Sequence, residues 1–546
     1  MSDCISYNQT FRFSKLFIDY IEQNSQVSSF YNRFPNLENF KSQIEEKQQN
    51  YQASNRKLLV KSLQSQYQEL EISEETKENI NLLKKENTFT VTTGHQLNLF
   101  TGPLYTFYKI ISVIKTCKTL KEKYSDYNFV PIFWLASEDH DLDEIDHFYF
   151  QNEKIKWSKE AEGAVGEIDT NQLKMIYKSF KDKLPDSKNA DQLLELFKEA
   201  YIEHSDLSKA SIFLYNEIFC EEGLVILEPN HADLKSCFKH QIKQELIHRT
   251  TFDEVSKTSQ DFKDLGYHEQ VTPREINFFY KDKNLRERII YKDGNFFVND
   301  TEKRFSKQEI LNLVDKHPER FSPNALLRPL YQEVLLPNLS YVGGAGELAY
   351  WLQLKSTFQD FGTTFPMLQM RNSVLLFSDK THQKLNKLNI KIEDLFQSEI
   401  NLKNQHTKQI SQINIDFSPQ KEHLSQQFKS LYKLAEQTDK SFLNAVAAQE
   451  QKQHNGLDKL EKRLLKAQRR KLKHELDRLT EIQHKLFPQN NLQERIVNFS
   501  ELYLSYGDEF YNIIFENLDP FDFRFSLIEM ETIPKSLNQK YTLKSI

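Results

Sequence analysis

The sequence predicts an α/β protein: an open parallel-sheet core with connecting insertions, followed by an α-helical antiparallel coiled-coil domain. Three observations carry this. Residues 88–137 read as strand, glycine turn, helix and strand. "LLPNLSYVGGAGELAYWLQLKSTF" (335–358) repeats the strand, glycine turn and helix. From about residue 381, apolar positions recur at steps of three and four along two long segments. A chain of 546 residues exceeds one core, so several structural units are expected.

Residues 1–86 are polar and rich in Gln, Asn, Lys and Glu, and read as helices. "NTFTVTTGH" is β-branched and aromatic, hence strand-like. In "PLYTFYKIISVIKTCKTLKEKY", Leu104, Phe107, Tyr108, Ile111, Ile114 and Cys117 line one helical face. Pro103 is expected at the first helical position, capped by Thr101. "YNFVPIFWLAS" is a continuous apolar run suited to a buried parallel strand. Strand, helix and strand of this kind build a doubly wound sheet. "GLVILEP" (223–229) is a further short strand. "INFFYKD" and "RERIIYKDGNFFVND" alternate and predict an antiparallel insertion turning at Asp293-Gly294. "SKQE" (306–309) is a capping box, and "TTFPMLQMRNSVLLF" a strand or strand pair.

In the last third, Leu424, Phe428, Leu431, Ala435, Thr438, Phe442 and Val446 form one seam. Leu457, Leu460, Leu464 and Ala467 form a second, continued by Leu472, Leu476, Leu479 and Leu486. Their separation by "QHNGLD" predicts two antiparallel helices turning near Gly456. The domains expected are therefore a core over 1–380, with insertions at about 150–215 and 250–325, a coiled coil over 381–490, and a segment over 491–546 returning to the core.

Composition narrows the function classes. A net charge of −6 gives no global case for nucleic acid. No apolar run is long enough to span a bilayer, and no signal peptide is seen, so a cytoplasmic protein without membrane association is expected. Cys4, Cys117, Cys220 and Cys237 make no zinc spacing, so no structural zinc is expected, and no residue is assigned as a metal ligand.

Three stretches carry candidate chemistry. In an open parallel sheet, ligands bind beyond the carboxyl ends of the strands. "GHQLNLFTGP" (94–103) takes that place and uses two of only 13 glycines, so a ligand-facing loop is expected, with backbone N–H groups near Thr101–Leu104 open to an anion. His95 and Gln96 are to face the crevice, with Lys109 as a nearby cation. "ASEDHDLDEIDH" (136–147) puts six acids and two histidines at the next strand end. Its carboxylates can hold Mg²⁺ or accept protons, and His140 can act as base or polar anchor. Asp143, Glu144 and Asp146 also suit a plain helix start. In "GGAGELA", Gly344, Gly346 and Ala349 fit a strand-to-helix glycine fingerprint without the acidic residue that would hold a ribose. The turn reads as a phosphate or substrate cradle, and Glu347 as a dipole partner or a ligand for an amino group. A basic run, "KRLLKAQRRKLK" (462–473), reads as the solvated face of a helix.

"TGHQLNLFTGPLYTFYK", "FWLASEDHDLDEI", "LLPNLSYVGGAGELAYW" and "LQER", in this order and spacing, resemble the bacillithiol biosynthesis cysteine-adding enzymes, a family of cysteine ligases. The resemblance covers nearly the whole chain. It implies a Rossmann-type core with connecting insertions and a coiled coil that makes a homodimer. It implies a ligase joining the carboxyl of L-cysteine to the amine of glucosaminyl-malate, the last step of bacillithiol biosynthesis. Activation of the carboxyl calls for ATP or another nucleotide, with Mg²⁺. On this reading His95, Gln96, Glu138, Asp139 and His140 are the catalytic candidates. Thr93, Gly94, Asn98, Lys109, Trp134, Arg328, Tyr341, Gly343, Gly344, Glu347 and Arg371 are the substrate-binding candidates, with Lys109, Arg328 and Arg371 as cations for the malate carboxylates. The competing expectation is a non-catalytic nucleotide-binding scaffold assembled through its coiled coil.

Overall fold

A computed structural model of the chain describes residues 3–530. Two compact units divide it: residues 3–8, 13–376 and 491–530 form the first, and Gln9–Arg12 with Phe377–Asn490 the second. No helix among the described residues is long and apolar enough to cross a membrane.

The first unit is built on five parallel strands. Their order across the sheet is Met367–Met370, Asn338–Gly343, Thr88–His95, Asn128–Leu135 and Val225–Leu227. The chain leaves Thr88–His95 toward one edge and later returns to its other side at Asn338–Gly343, so the order reverses between these two strands. That reversal opens a crevice beyond their carboxyl ends. The strands are buried on both faces, as continuous apolar and threonine-rich runs require. Phe89, Val91, Phe129, Leu339, Val342 and Met367 pack with Phe40 and Ile44 from helix Asn39–Asn50 and with Val113, Cys117 and Leu120 from helix Tyr105–Lys123.

A second sheet of five strands, all pairing antiparallel, spans residues 278–323. Its hairpin turns at Asp293-Gly294, both at positive φ, and helix Lys307–Lys316 opens on the Ser306–Glu309 capping box. This insertion brings Phe279 and Arg286 to the mouth of the crevice.

Four local expectations are corrected. Residues 1–86 are not all helical: Asp3–Ile5 is a strand paired with Phe525–Met530. Its partner lies at the far end of the chain, where no local pattern reveals it. Helix Tyr105–Lys123 starts two residues after Pro103, and Thr101, at φ 66°, does not cap it. Of the N–H groups expected to meet an anion, two are used internally: Gly102 donates to the Leu99 carbonyl (3.0 Å) and Leu104 to the Val497 carbonyl (2.9 Å), while Pro103 has no N–H; next to them Phe100 donates to the Tyr201 hydroxyl (2.8 Å). Gly102 is required by its own backbone: at φ 64° an added Cβ would stand 2.7 Å from the Asn98 side chain.

The fourth correction lies in the second unit. Helix Lys440–Lys471 runs unbroken through Gly456, and the turn falls at residues 436–439 instead. Asp439 caps the new helix by accepting from the Ser441 and Phe442 amides. One glycine inside a helix costs only about 1 kcal/mol, so it does not interrupt a paired helix. Phe428, Ala435 and Val446 form the seam with helix Ser418–Ala435, and Lys421 bridges Asp458 (2.6 Å) and Glu461 (2.8 Å) across it. Leu431, Phe442 and Leu460, expected in the seam, are exposed, as is Leu434.

Candidate active site

A cavity of about 780 Å³ opens at the carboxyl ends of the sheet, where the strand order reverses. Gly94, His95 and Gln96 leave one strand, Trp134 and Leu135 the next in register with Gly94 and His95, and the Gly344–Glu347 turn a third. Arg371 follows the edge strand, and Arg495 comes from the C-terminal segment.

On one side stands a network centred on Glu347. Its carboxylate pairs with Lys109 (2.6 Å) and accepts from the Tyr341 hydroxyl (2.8 Å) and the Gly344 amide (2.9 Å). Burial alone would push the carboxyl up; Lys109 and these donors outweigh it and bring it down to about 2. Lys109 is buried and also donates to the Gly94 carbonyl (3.0 Å). It is therefore not a solvated cation but the tie between two neighbouring strand ends. Burial, then Lys109, lowers the His95 imidazole to about 3. His95 is thus neutral near pH 7, and its buried Nε2 has no hydrogen-bond partner among the described residues. It is suited to donate or accept a hydrogen bond rather than to carry a proton.

Arg328 lies over Tyr341 and Trp351, which stack at 4.3 Å, and donates to Gln332 (3.1 Å). Arg371 makes a two-pronged pair with Glu494, at 3.0 and 2.7 Å, both side chains buried. Its Nε lies in the same wall without a partner among the described residues. Gly346 borders the cavity with open space where a side chain would stand.

The acidic loop forms the opposite side. Asp139 accepts from Gln96 Nε2 (3.0 Å) and the His140 amide (2.8 Å), with Arg286 at 3.7 Å. Burial opposes its ionisation, but these partners prevail and hold the carboxyl far below the usual carboxylate range. Asp139 is therefore a weak base that fixes Gln96. Arg286 points at His140 Nδ1, and that nitrogen also lies 3.5 Å from Asp139 Oδ1. Glu138 differs: Oε2 accepts from Lys235 (2.8 Å), while Oε1 is buried at the cavity with no partner among the described residues.

Of the residues expected at the site, the fold brings His95, Gln96, Glu138, Asp139, His140, Gly94, Lys109, Trp134, Arg328, Tyr341, Gly344, Glu347 and Arg371 to this one cavity. Three are placed elsewhere. Thr93 points into the sheet, where its hydroxyl donates to the Val342 carbonyl (2.7 Å). Asn98 is buried and donates to the Glu144 carbonyl (3.2 Å). Gly343 belongs to its strand, and an added Cβ there would stand 3.0 Å from the Tyr341 ring. Sequence reasoning did not single out Lys235, Arg286, Glu494, Arg495 or Tyr105. Glu494 and Arg495 carried a signal as part of the quoted "LQER", and Tyr105 as part of "TGHQLNLFTGPLYTFYK". No group of three or more His, Cys, Asp or Glu side chains is placed to hold a metal ion among the described residues.

Comparison with known proteins agrees along the whole chain. Residues 1–372 match the N-terminal Rossmann-like domain of bacillithiol biosynthesis BshC, and residues 374–530 its C-terminal coiled-coil domain. A Flavobacterium johnsoniae protein named "Putative cysteine ligase BshC" is 51% identical over 527 residues, covering 96% of this chain and 99% of the relative. A protein of the same name from Christiangramia forsetii is 50% identical over 531 residues, with 96% and 99% covered. One from Bacillus cytotoxicus is 29% identical over 517 residues, with 90% and 94% covered.

Proposed function

The chain belongs to the bacillithiol biosynthesis BshC family, and on that premise we propose that its cavity joins the carboxyl of L-cysteine to the amine of glucosaminyl-malate, forming bacillithiol with ATP as the activating co-substrate. The observation that carries this is the polarity of the cavity. Glu138 has a carboxylate oxygen without a partner among the described residues, and Arg328 and Arg371 line the same cavity. An amine nucleophile and a carboxylate-bearing substrate need this pairing: the ammonium must lose a proton, and the anionic groups must be held.

ATP, when bound, supplies the leaving group that a free carboxylate lacks. The open space at Gly346, in a cavity that Arg328 and Arg371 also line, suits a phosphate or carboxylate. The Gly344 amide is already taken by Glu347, so the glycine turn contributes room rather than that donor. Glu138 and Asp139 are paired with Lys235, Gln96 and Arg286. Mg²⁺ therefore enters this reading as a companion of the phosphates and not as a protein-held ion.

In the reaction, Glu138 takes a proton from the ammonium of glucosaminyl-malate, leaving the neutral amine to attack the activated cysteine carbonyl. The amide C–N bond forms as the C–O bond to the phosphate-bearing group from ATP breaks, and the second amine proton departs to solvent with that group. His95, neutral and with an Nε2 that has no partner among the described residues, would give the reacting group a hydrogen bond. Incubating the pure protein with cysteine, glucosaminyl-malate and MgATP is expected to yield bacillithiol by mass spectrometry. Folded protein that makes none overturns the proposal.

The homodimer belongs to the same reading. Exposed Leu431, Leu434, Phe442 and Leu460 on the helical hairpin give an apolar face for a second copy. Replacing Leu434 and Leu460 by Glu is expected to give monomers by light scattering after gel filtration. A dimer that survives both changes places the interface elsewhere.

A further inference from the structure

Lys235 is fully buried, on the short helix Ala232–Ser236, and sequence reasoning gave it no role. A lysine is seldom fully buried unless paired. Its Nζ donates to Glu138 Oε2 (2.8 Å) and to the Phe321 carbonyl (3.2 Å), and it lies 4.6 Å from the centroid of the Tyr331 ring. The bond engages one carboxylate oxygen and leaves Oε1 at the cavity without a partner among the described residues.

Resting on the proposed ligase reading, we propose that Lys235 is a positioning residue that holds Glu138 by Oε2 and so leaves Oε1 for the substrate ammonium. A carboxylate anchored through one oxygen keeps one orientation and has the other oxygen spare. The other charged and titratable groups around the pair are Arg286 and Lys281 from the antiparallel sheet, Asp139 beside Glu138, Glu228 after the strand Val225–Leu227, and Tyr331 on helix Arg328–Leu335. Lys281 is committed to Glu167 (2.8 Å) and Arg286 to His140 and Ser322. Glu228 accepts from Ser137 and Ser208. None of these donates a hydrogen bond to Glu138 in place of Lys235.

Burial lowers Lys235 to about 8 against the opposing pull of Glu138. It is thus protonated and a donor at neutral pH. Lys235→Met removes that donor and is expected to lower kcat by ~10–10²-fold with little change in KM for cysteine. Lys235→Arg, which keeps a charged donor, is expected to restore most of the loss, as a merely space-filling role would not.

A wild-type protein that makes no bacillithiol overturns the reading itself. A productive wild type with Lys235→Met at the wild-type kcat overturns only the role of Lys235. Because an unpaired Glu138 can unfold the single variant, Lys235→Met is also made in a Glu138→Gln background. There it is expected to lower the residual rate no further, because Lys235 acts through the carboxylate. A further loss in that background also overturns the proposal.

Discussion

Replacing Glu138 by glutamine is expected to lower kcat for bacillithiol formation by ~10²–10⁴-fold, with little change in KM for cysteine. Glutamine keeps the shape of the side chain, and its amide oxygen can still accept from Lys235. What it removes is the charge at Oε1, which lies at the cavity without a partner among the described residues. The loss should exceed that of Asp139→Asn, because Asp139 is already engaged by Gln96 and the His140 amide and is a weak base. Steady-state rates by mass spectrometry check the order. Turnover of Glu138→Gln near the wild-type rate would remove the proton acceptor from this loop.

Replacing Glu494 by glutamine is expected to destabilise the protein by ~3–5 kcal/mol. Glu494 and Arg371 are both buried, and Glu494 also accepts from the Val374 amide (2.9 Å). Neutralising the carboxylate leaves the Arg371 guanidinium inside the fold without its counter-charge. The midpoint of urea unfolding, followed by tryptophan fluorescence, should fall accordingly. Arg371→Met combined with Glu494→Leu removes both charges and should recover most of the stability. It should still turn over poorly, because the Nε that borders the cavity is gone. A Glu494→Gln variant as stable as the wild type would mean that Arg371 finds other compensation.

The pair also illustrates what local reading can reach. Arg371 was legible as a cation after a strand, but its partner is 123 residues away, so its commitment was not. Lys109 was legible as a cation near the crevice, and the fold commits it to Gly94 and Glu347. The glycines divide in the same way. Gly102 answers to its own φ and to Asn98, whereas Gly346 leaves open space at the cavity. Thr93 and Asn98 sit one and four residues from Gly94 in sequence and yet face the interior. Strand alternation and a buried turn settle that, and motif membership does not.

The sequence by itself determined the alternation of strand, glycine turn and helix, the parallel core with a helical domain after it, the family resemblance, and the two strand-end loops that carry Gln96 and Glu138. These follow from periodicities and turn residues that act over a few positions. Tertiary structure decided the rest: the strand order whose reversal opens the crevice, the turn at residues 436–439, and which charges are spent on one another. Lys235 reaches Glu138 across 97 residues and Arg286 reaches His140 across 146. The state of a buried charge depends on what folding places within a few ångströms of it and on how much water folding removes, and neither is a property of neighbours along the chain.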